Sequence, residues 1–443
     1  MVKKCALFVL LFTYILLDIS AQIVKLEEVI FSSDTLEDGT YAVKYENGRY
    51  AVVGEISDQK KTGLWKYYYT NGNFKELVNY DEGKLNGAKS KYDENGVLIN
   101  TAYYKDGILD GGYKEYYDNG ELALTGFYKY GQKDSLWTEY LPTTNGFSQS
   151  MSYVKRFKKG KLNGKSEYFY ETGKTKSIEY YKHDIETGNW KIFYPNKRLQ
   201  KDFNFKNGQL NGVYHEYHAN GQKSVEGDYY FDLKEGKWLG FYQNGNLFNI
   251  GSYDKDQKEG VWKYFLENGS IQSEGEFIND LRSGQWLYYY PDGKLKEIGG
   301  YKLDLKNGLW GLFYPNEQLK HEQLWVDGLL TTIGEYYAIT GEILRESNFN
   351  EGNGQLLSYF DNKYVASDIN YRNGRKDGAA KTYFDSGNIK EEGQYRGDIK
   401  DGKWITYFTN GRKAIIAQYS KGQESDTWYY YNPRGKIIET VVY

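Results

Sequence analysis

A period of 24 residues runs through this chain and limits its folds more than any other feature, because self-similarity at fixed spacing means stacked supersecondary units. Seventeen units begin between Gly39 and Asp426, 24 residues apart except for 29 after Ser135 and 22 after Thr332. Rare residues confirm the register. Nine of the ten tryptophans fall at position 3 of a unit, and all five prolines fall at position 8. Position 6 is Tyr or Phe in every unit but the first, which has Lys44. Position 18 is aromatic in every unit but the first, which has Ile56, and the tenth tryptophan, Trp325, sits there.

Each unit reads as a β-hairpin. Gly284 to Tyr290 is rich in residues that suit a pleated, half-buried surface. Pro291-Asp-Gly293 turns the chain, since Pro presets φ at one corner and Gly accepts positive φ after it. Lys294 to Tyr301 returns, and Lys302 to Asn307 loops into the next unit. Sixteen Asn-Gly and seven Asp-Gly pairs punctuate the chain, the strongest short hairpin signal. Tight turns between consecutive strands require an antiparallel meander. The expected fold is all-β: an elongated single-layer antiparallel β-meander of about seventeen hairpin repeats. Roughly 34 strands at about 4.8 Å would span about 160 Å if unbent.

An unbroken pleat puts positions 12, 14, 16 and 18 on one side of the return strand. Position 16 is often Gly (Gly227, Gly251, Gly275, Gly299, Gly393), which leaves room for a neighbouring ring. The position 6 ring is expected to fill it, forming an aromatic ladder across strands. Position 3 has the opposite parity, so both faces are expected to carry aromatics. The unit after Gly39 reads as a cap. The extra residues at 143–149 and the short unit at Thr332 are the expected sites of a bend or a distinctive loop.

The pattern G-x-W-x-x-Y-Y-x-x-G-x-L, followed by Y-x-x-G-x-x-x-G, is plain in Gly63 to Gly72 and in Tyr80 to Gly87. It resembles the bacterial variant of the MORN repeat, over 39–443. Proteins of that kind are often grouped with YwqK-type antitoxins, so the resemblance implies a toxin-neutralising role. Better-known MORN proteins look like extended β-sheet scaffolds with protein partners, some with proposed lipid contacts. The resemblance carries no catalytic residue with it.

Residues 1–21 read as a secretory signal peptide: Lys3 and Lys4, the apolar run Ala6 to Leu17, then Ile19-Ser20-Ala21 before a cut at Gln22. Residues 22–38 form a lead-in and 39–443 the repeat array. Cleavage would remove Cys5, the only cysteine, and with it any disulfide or thiol chemistry. An exported location follows, whether periplasmic, outer-surface or secreted. Net charge is −3, with 57 basic and 60 acidic residues dispersed along the chain. Nothing in that balance suggests nucleic acid, nor strong membrane-lipid binding, which needs a polybasic segment.

Chemistry is sparse. His215 and His218 are three apart on a strand and diverge, so they make no metal pair. Asp254-Lys-Asp256 lacks the remaining ligands of a calcium loop. No nucleophile elbow or phosphate-binding loop is present. No catalytic, metal or cofactor site is expected, and no enzyme. The expected role is a non-catalytic, exported scaffold binding another protein through an extended sheet face. The alternatives are an antitoxin or immunity protein, and a module for a cell-surface glycan. The glycan reading rests on one row, Trp65, Trp190, Trp238, Trp262, Trp286, Trp310 and Trp404, since aromatic rings can stack on sugars.

Overall fold

The computed structural model describes residues 38–143, 148–344 and 348–443. The signal peptide, nearly all of the lead-in and most of the 143–149 insertion therefore lie outside the described residues. Among those described, every regular element is a β-strand, 34 in all. The all-β meander is observed. Within each compact unit, strands pair antiparallel with neighbours in sequence, and the last eight strands form a sheet of their own.

Two compact units divide at Glu121/Leu122. In the first, described from residue 38, the strands run from Gly39–Lys44 to Ile108–Tyr116. In the second they run from Leu122–Lys129 to Ile437–Val442. The count of 34 conceals two departures that cancel. The outgoing strand after Lys182 is split into Ile185–Glu186 and Gly188–Phe193. The Thr332 unit has an outgoing strand, Leu329–Ile333, but among the described residues no return strand, only isolated bridges at Tyr337–Ile343 and Asn350–Asn353. One ladder ends at Leu329–Ile333 and the eight-stranded sheet begins at Gly354–Tyr359. The short unit is thus a break in the ladder.

Turn chemistry explains the strand limits. The outgoing strand Leu281–Tyr289 begins before Gly284, because the preceding turn is Asn279-Asp280 with φ of 50° and 67°. Positive φ at both central residues is the turn that matches strand twist. Asp at its second corner fixes the neighbouring unit too: Asp256, Asp280 and Asp304 each accept a bond from a main-chain N–H 22 residues earlier. At the opposite end, Tyr290 N–H donates to Lys294 and Gly293 N–H donates back to Tyr290.

The Asn of that turn does two jobs. Asn244 Oδ1 accepts from Asn246 N–H at 2.9 Å, and its Nδ2 donates to the Glu267 carbonyl of the next turn at 2.8 Å. Asn196, Asn220, Asn316 and Asn362 repeat the second bond. The preceding tyrosines add another rung, as when Tyr242 Oη donates to Phe265 O and Tyr290 Oη to Phe313 O. Asn244→Asp keeps the local acceptor and loses the donor to the next turn. Its expected cost is about 1 kcal/mol, seen as faster amide exchange in the Gly245 and Gly269 turns.

Candidate interaction surface

Two register shifts decide which residues share a face. Tyr264 pairs with Ser273 and Phe265 with Ile271, so residue 272 is skipped. A one-residue bulge at position 13 therefore puts positions 12 and 14 on opposite faces. Between units, Gly275 pairs with Trp286 and Glu276 with Ser283, so Gly284 and Gln285 are skipped. The position 1 glycine sits there at φ of 63°. Ser135 and Asp426 hold the same position at φ of 61° and 59°.

These shifts overturn the expected ladder. The ring that fills the space over the position 16 glycine is the position 3 tryptophan of the next unit, not the position 6 ring. A Cβ added at Gly54, Gly126, Gly227, Gly251, Gly275, Gly299 or Gly393 would lie 2.0–2.3 Å from an indole atom of Trp65, Trp137, Trp238, Trp262, Trp286, Trp310 or Trp404. The position 18 ring closes edge-on, Tyr253 on Trp262 and Tyr301 on Trp310, both at 5.1 Å between centroids. The indole N–H of Trp310 donates to Gly300 O at 3.0 Å, and Trp65, Trp262, Trp286, Trp404 and Trp428 make the equivalent bond in their own units. A cation at position 23 lies over the ring: Lys306 Nζ is 3.8 Å and Lys400 Nζ 4.0 Å from their indole centroids. Burial pushes the Lys306 ammonium below its usual range, so this contact is partly desolvated, where such pairs approach about 2 kcal/mol.

The proposed tryptophan row is therefore packing. Trp65, Trp238, Trp262, Trp286, Trp310 and Trp404 are buried, Trp310 completely. Only Trp190 of that row is partly exposed, and it departs from the pattern: Glu179 stands where the others have Gly, and Glu186 where they have a cation. Rings held between glycine backbone, tyrosine edges and a lysine offer no open stacking platform for a sugar.

Position 6 lies on the opposite face, where Tyr289 Oη donates to Glu274 at 2.8 Å and Lys263 pairs with the same carboxylate at 2.7 Å. That face is open, and it carries aliphatic side chains at position 2. Leu136, Val213, Val261 and Leu309 of the second unit are exposed, Val261 by 61% and Leu309 by 57%. Leu64 does the same in the first unit. Beside Leu309, Gly300 and Gly311 stand where other units have side chains, and Ile298, Phe313 and Leu319 complete a groove of about 390 Å³.

The histidines are structural in position. His183 is a turn residue at φ of 56°, His218 Nε2 meets Phe241 O at 2.9 Å in place of the usual tyrosine, and His215 stays on the strand before it. His321 is the exception. It is 5% exposed, stacks on Tyr336 at 4.5 Å and meets Gln323 through Nε2 at 2.9 Å, while its Nδ1 has no partner among the described residues.

Averaged charge hid one feature. Between Lys155 and Lys165, six of eleven residues are Lys or Arg and none is acidic. The charges are not dispersed there, and the run itself was the legible signal. Arg156, Lys158 and Lys159 are exposed and line, with Lys129, a cleft of about 600 Å³.

The 24-residue unit, its hairpin and its buried tryptophan define a β-repeat scaffold. The chain is a MORN-repeat protein: the model described as the MORN repeat variant matches nine segments, 61–82, 85–106, 109–130, 162–183, 186–207, 234–255, 258–279, 282–303 and 376–396. No curated protein matches the chain. Among solved structures it is similar to the TcdB2-TccC3-Cdc42 crystal structure, at 11% identity and TM-score 0.14, over 90% of this chain and 26% of that one. It is also similar to the Photorhabdus luminescens Tc holotoxin pore with the TccC3-D651A mutation, at 10% identity and TM-score 0.13, over 90% and 24%. Sqt1 of Saccharomyces cerevisiae matches at 10% identity and TM-score 0.16, over 81% and 83%. The chain spans about a quarter of the two toxin-complex chains.

Proposed function

We propose that the chain is a non-catalytic scaffold, exported to the cell envelope or beyond, that holds another protein against the face opposite the tryptophans. The observation that supports this reading is the recurrence of exposed aliphatic residues at position 2, Leu136, Val213, Val261 and Leu309, of which the first three pair across the strands with Arg156, Asp228 and Glu276. Exposed apolar groups rimmed by polar ones are the usual mark of a protein-binding surface. Export rests on the basic start and apolar run at Lys3 to Leu17. Nothing in this reading needs a metal, a cofactor or a reaction.

The test uses the chain from residue 22 as bait against envelope extract, beside a variant carrying Val261→Glu and Leu309→Glu. One protein retained in near-equal amount by the wild type, and lost at least tenfold by the variant, is the expected result. Recovery of a toxic protein would make the scaffold an antitoxin. Recovery of polysaccharide alone, or equal retention by the variant, would overturn the proposal.

A further inference from the structure

The basic cleft touches the packing ladder only at Phe157, the ring that closes on Trp137. It opens between the turn at Tyr130–Ser135 and the strand-turn segment Arg156–Asn163, and encloses about 600 Å³. Four cations line it: Lys129, Arg156, Lys158 and Lys159. Among the described residues none of the four forms an ion pair, although other cations of the same sheet do, such as Lys263 with Glu274 and Arg282 with Asp304. The one acidic residue of the lining, Asp134, is already engaged: Oδ1 accepts from Ser135 Oγ at 3.2 Å and Oδ2 from Lys159 N–H at 3.3 Å. Unpaired like charges repel each other and lower stability, so this cluster is complementary to something negative.

Apolar groups beside the cations narrow the choice. Tyr130, in the lining, is 75% exposed, and Leu136 and Phe127 stand exposed nearby in the chain. On the pleat, Arg156 pairs directly with Leu136. A free phosphate would satisfy the cations and leave these side chains in water, and an acidic polysaccharide could stack on the rings but would leave Leu136 unmatched. A peptide that mixes carboxylates with apolar residues satisfies both, since a guanidinium takes a carboxylate bidentately and exposed rings supply an anchor.

We infer that this cleft binds an acidic peptide segment bearing apolar residues, supplied by the protein partner. The source of the segment rests on the scaffold reading above; the affinity of the cleft for such a peptide does not. The probe is a fluorescein-labelled twelve-residue peptide alternating Asp or Glu with Phe or Leu, followed by anisotropy against the chain from residue 22. Binding that falls about tenfold in Arg156→Glu/Lys158→Glu, falls in Tyr130→Ala, weakens with salt and is unchanged in Lys390→Glu is the expected result. Absence of binding to the wild type, or equal binding by the charge-reversed variant, overturns it. So does preference for a sulfated oligosaccharide or for phosphatidylserine vesicles over the peptide. Should charge reversal impair folding, Tyr130→Ala and the salt titration still decide. If the envelope partner is retained while the peptide fails, the cleft inference falls and the scaffold stands. If the peptide binds and no partner is found, the reverse holds.

Discussion

Replacing Trp310 by Ala is expected to destabilise its part of the array by about 3–5 kcal/mol, the usual cost of emptying a large aromatic site. The ring is fully buried between Gly299, Tyr301, Tyr288 and Lys306. Gly299→Ile alone is expected to be comparably damaging, because its Cβ would lie 2.0 Å from the indole and overpacking forces backbone shifts. The two changes together are expected to cost less than their sum. The same chain already contains that exchange: Ile369 pairs with Ala380 at these two positions, and Ile369 packs on the cluster around Ala380. A double-mutant cycle by urea denaturation should return a favourable coupling of about 1–3 kcal/mol. Strict additivity would mean that the glycine and the tryptophan do not depend on each other.

Acid should weaken the break between the two sheets. His321 has its pKa lowered from 6.5 to about 4, first by burial and then by the charges of Lys320 and Lys306. Its folded-state value lies below the unfolded one, so the unfolded chain takes up the proton first. Stability is therefore complete above about pH 6.5, falls as the pH drops towards 4, and is level below that. The shift corresponds to about 3 kcal/mol over the window. Amide protection at Leu330 and at Leu357, referred to the intrinsic exchange rate at each pH, should fall accordingly between pH 6.5 and 4. His321→Phe retains a ring against Tyr336 and has nothing to protonate, so this part of the acid response should vanish. An unchanged response in that variant would assign the effect to other groups.

The repeat, the hairpin and the turn residues were legible because each rests on local rules: a rare residue at a fixed interval, or Asn-Gly where φ is positive. The face assignment was not. Counting by twos assumes an unbroken pleat, and each unit breaks it twice, at position 13 and at the Gly that opens the unit. A longer-range pattern held the answer. Seven of the nine position 3 tryptophans have Gly eleven residues earlier, as in Gly54 with Trp65 and Gly393 with Trp404. Where the tryptophan is absent the glycine is absent too: Val78 precedes Lys89, Phe203 precedes Tyr214 and Ile369 precedes Ala380 at the same interval. The largest ring faces the smallest residue across the strands. The basic cleft was missed for another reason: a net charge near zero averages away a run such as Lys155 to Lys165.

Hydroxyl-radical oxidation of the native chain, read residue by residue by mass spectrometry, tests most directly whether one face is packed and the other open. Trp65, Trp137, Trp238, Trp262, Trp286, Trp310, Trp404 and Trp428 should be protected, although indole is among the more reactive groups, while exposed Tyr103, Tyr130 and Tyr230 are modified. Tryptophans oxidised as fast as those tyrosines would contradict this, because the indole row would then be an open surface and not the packed side of the sheet.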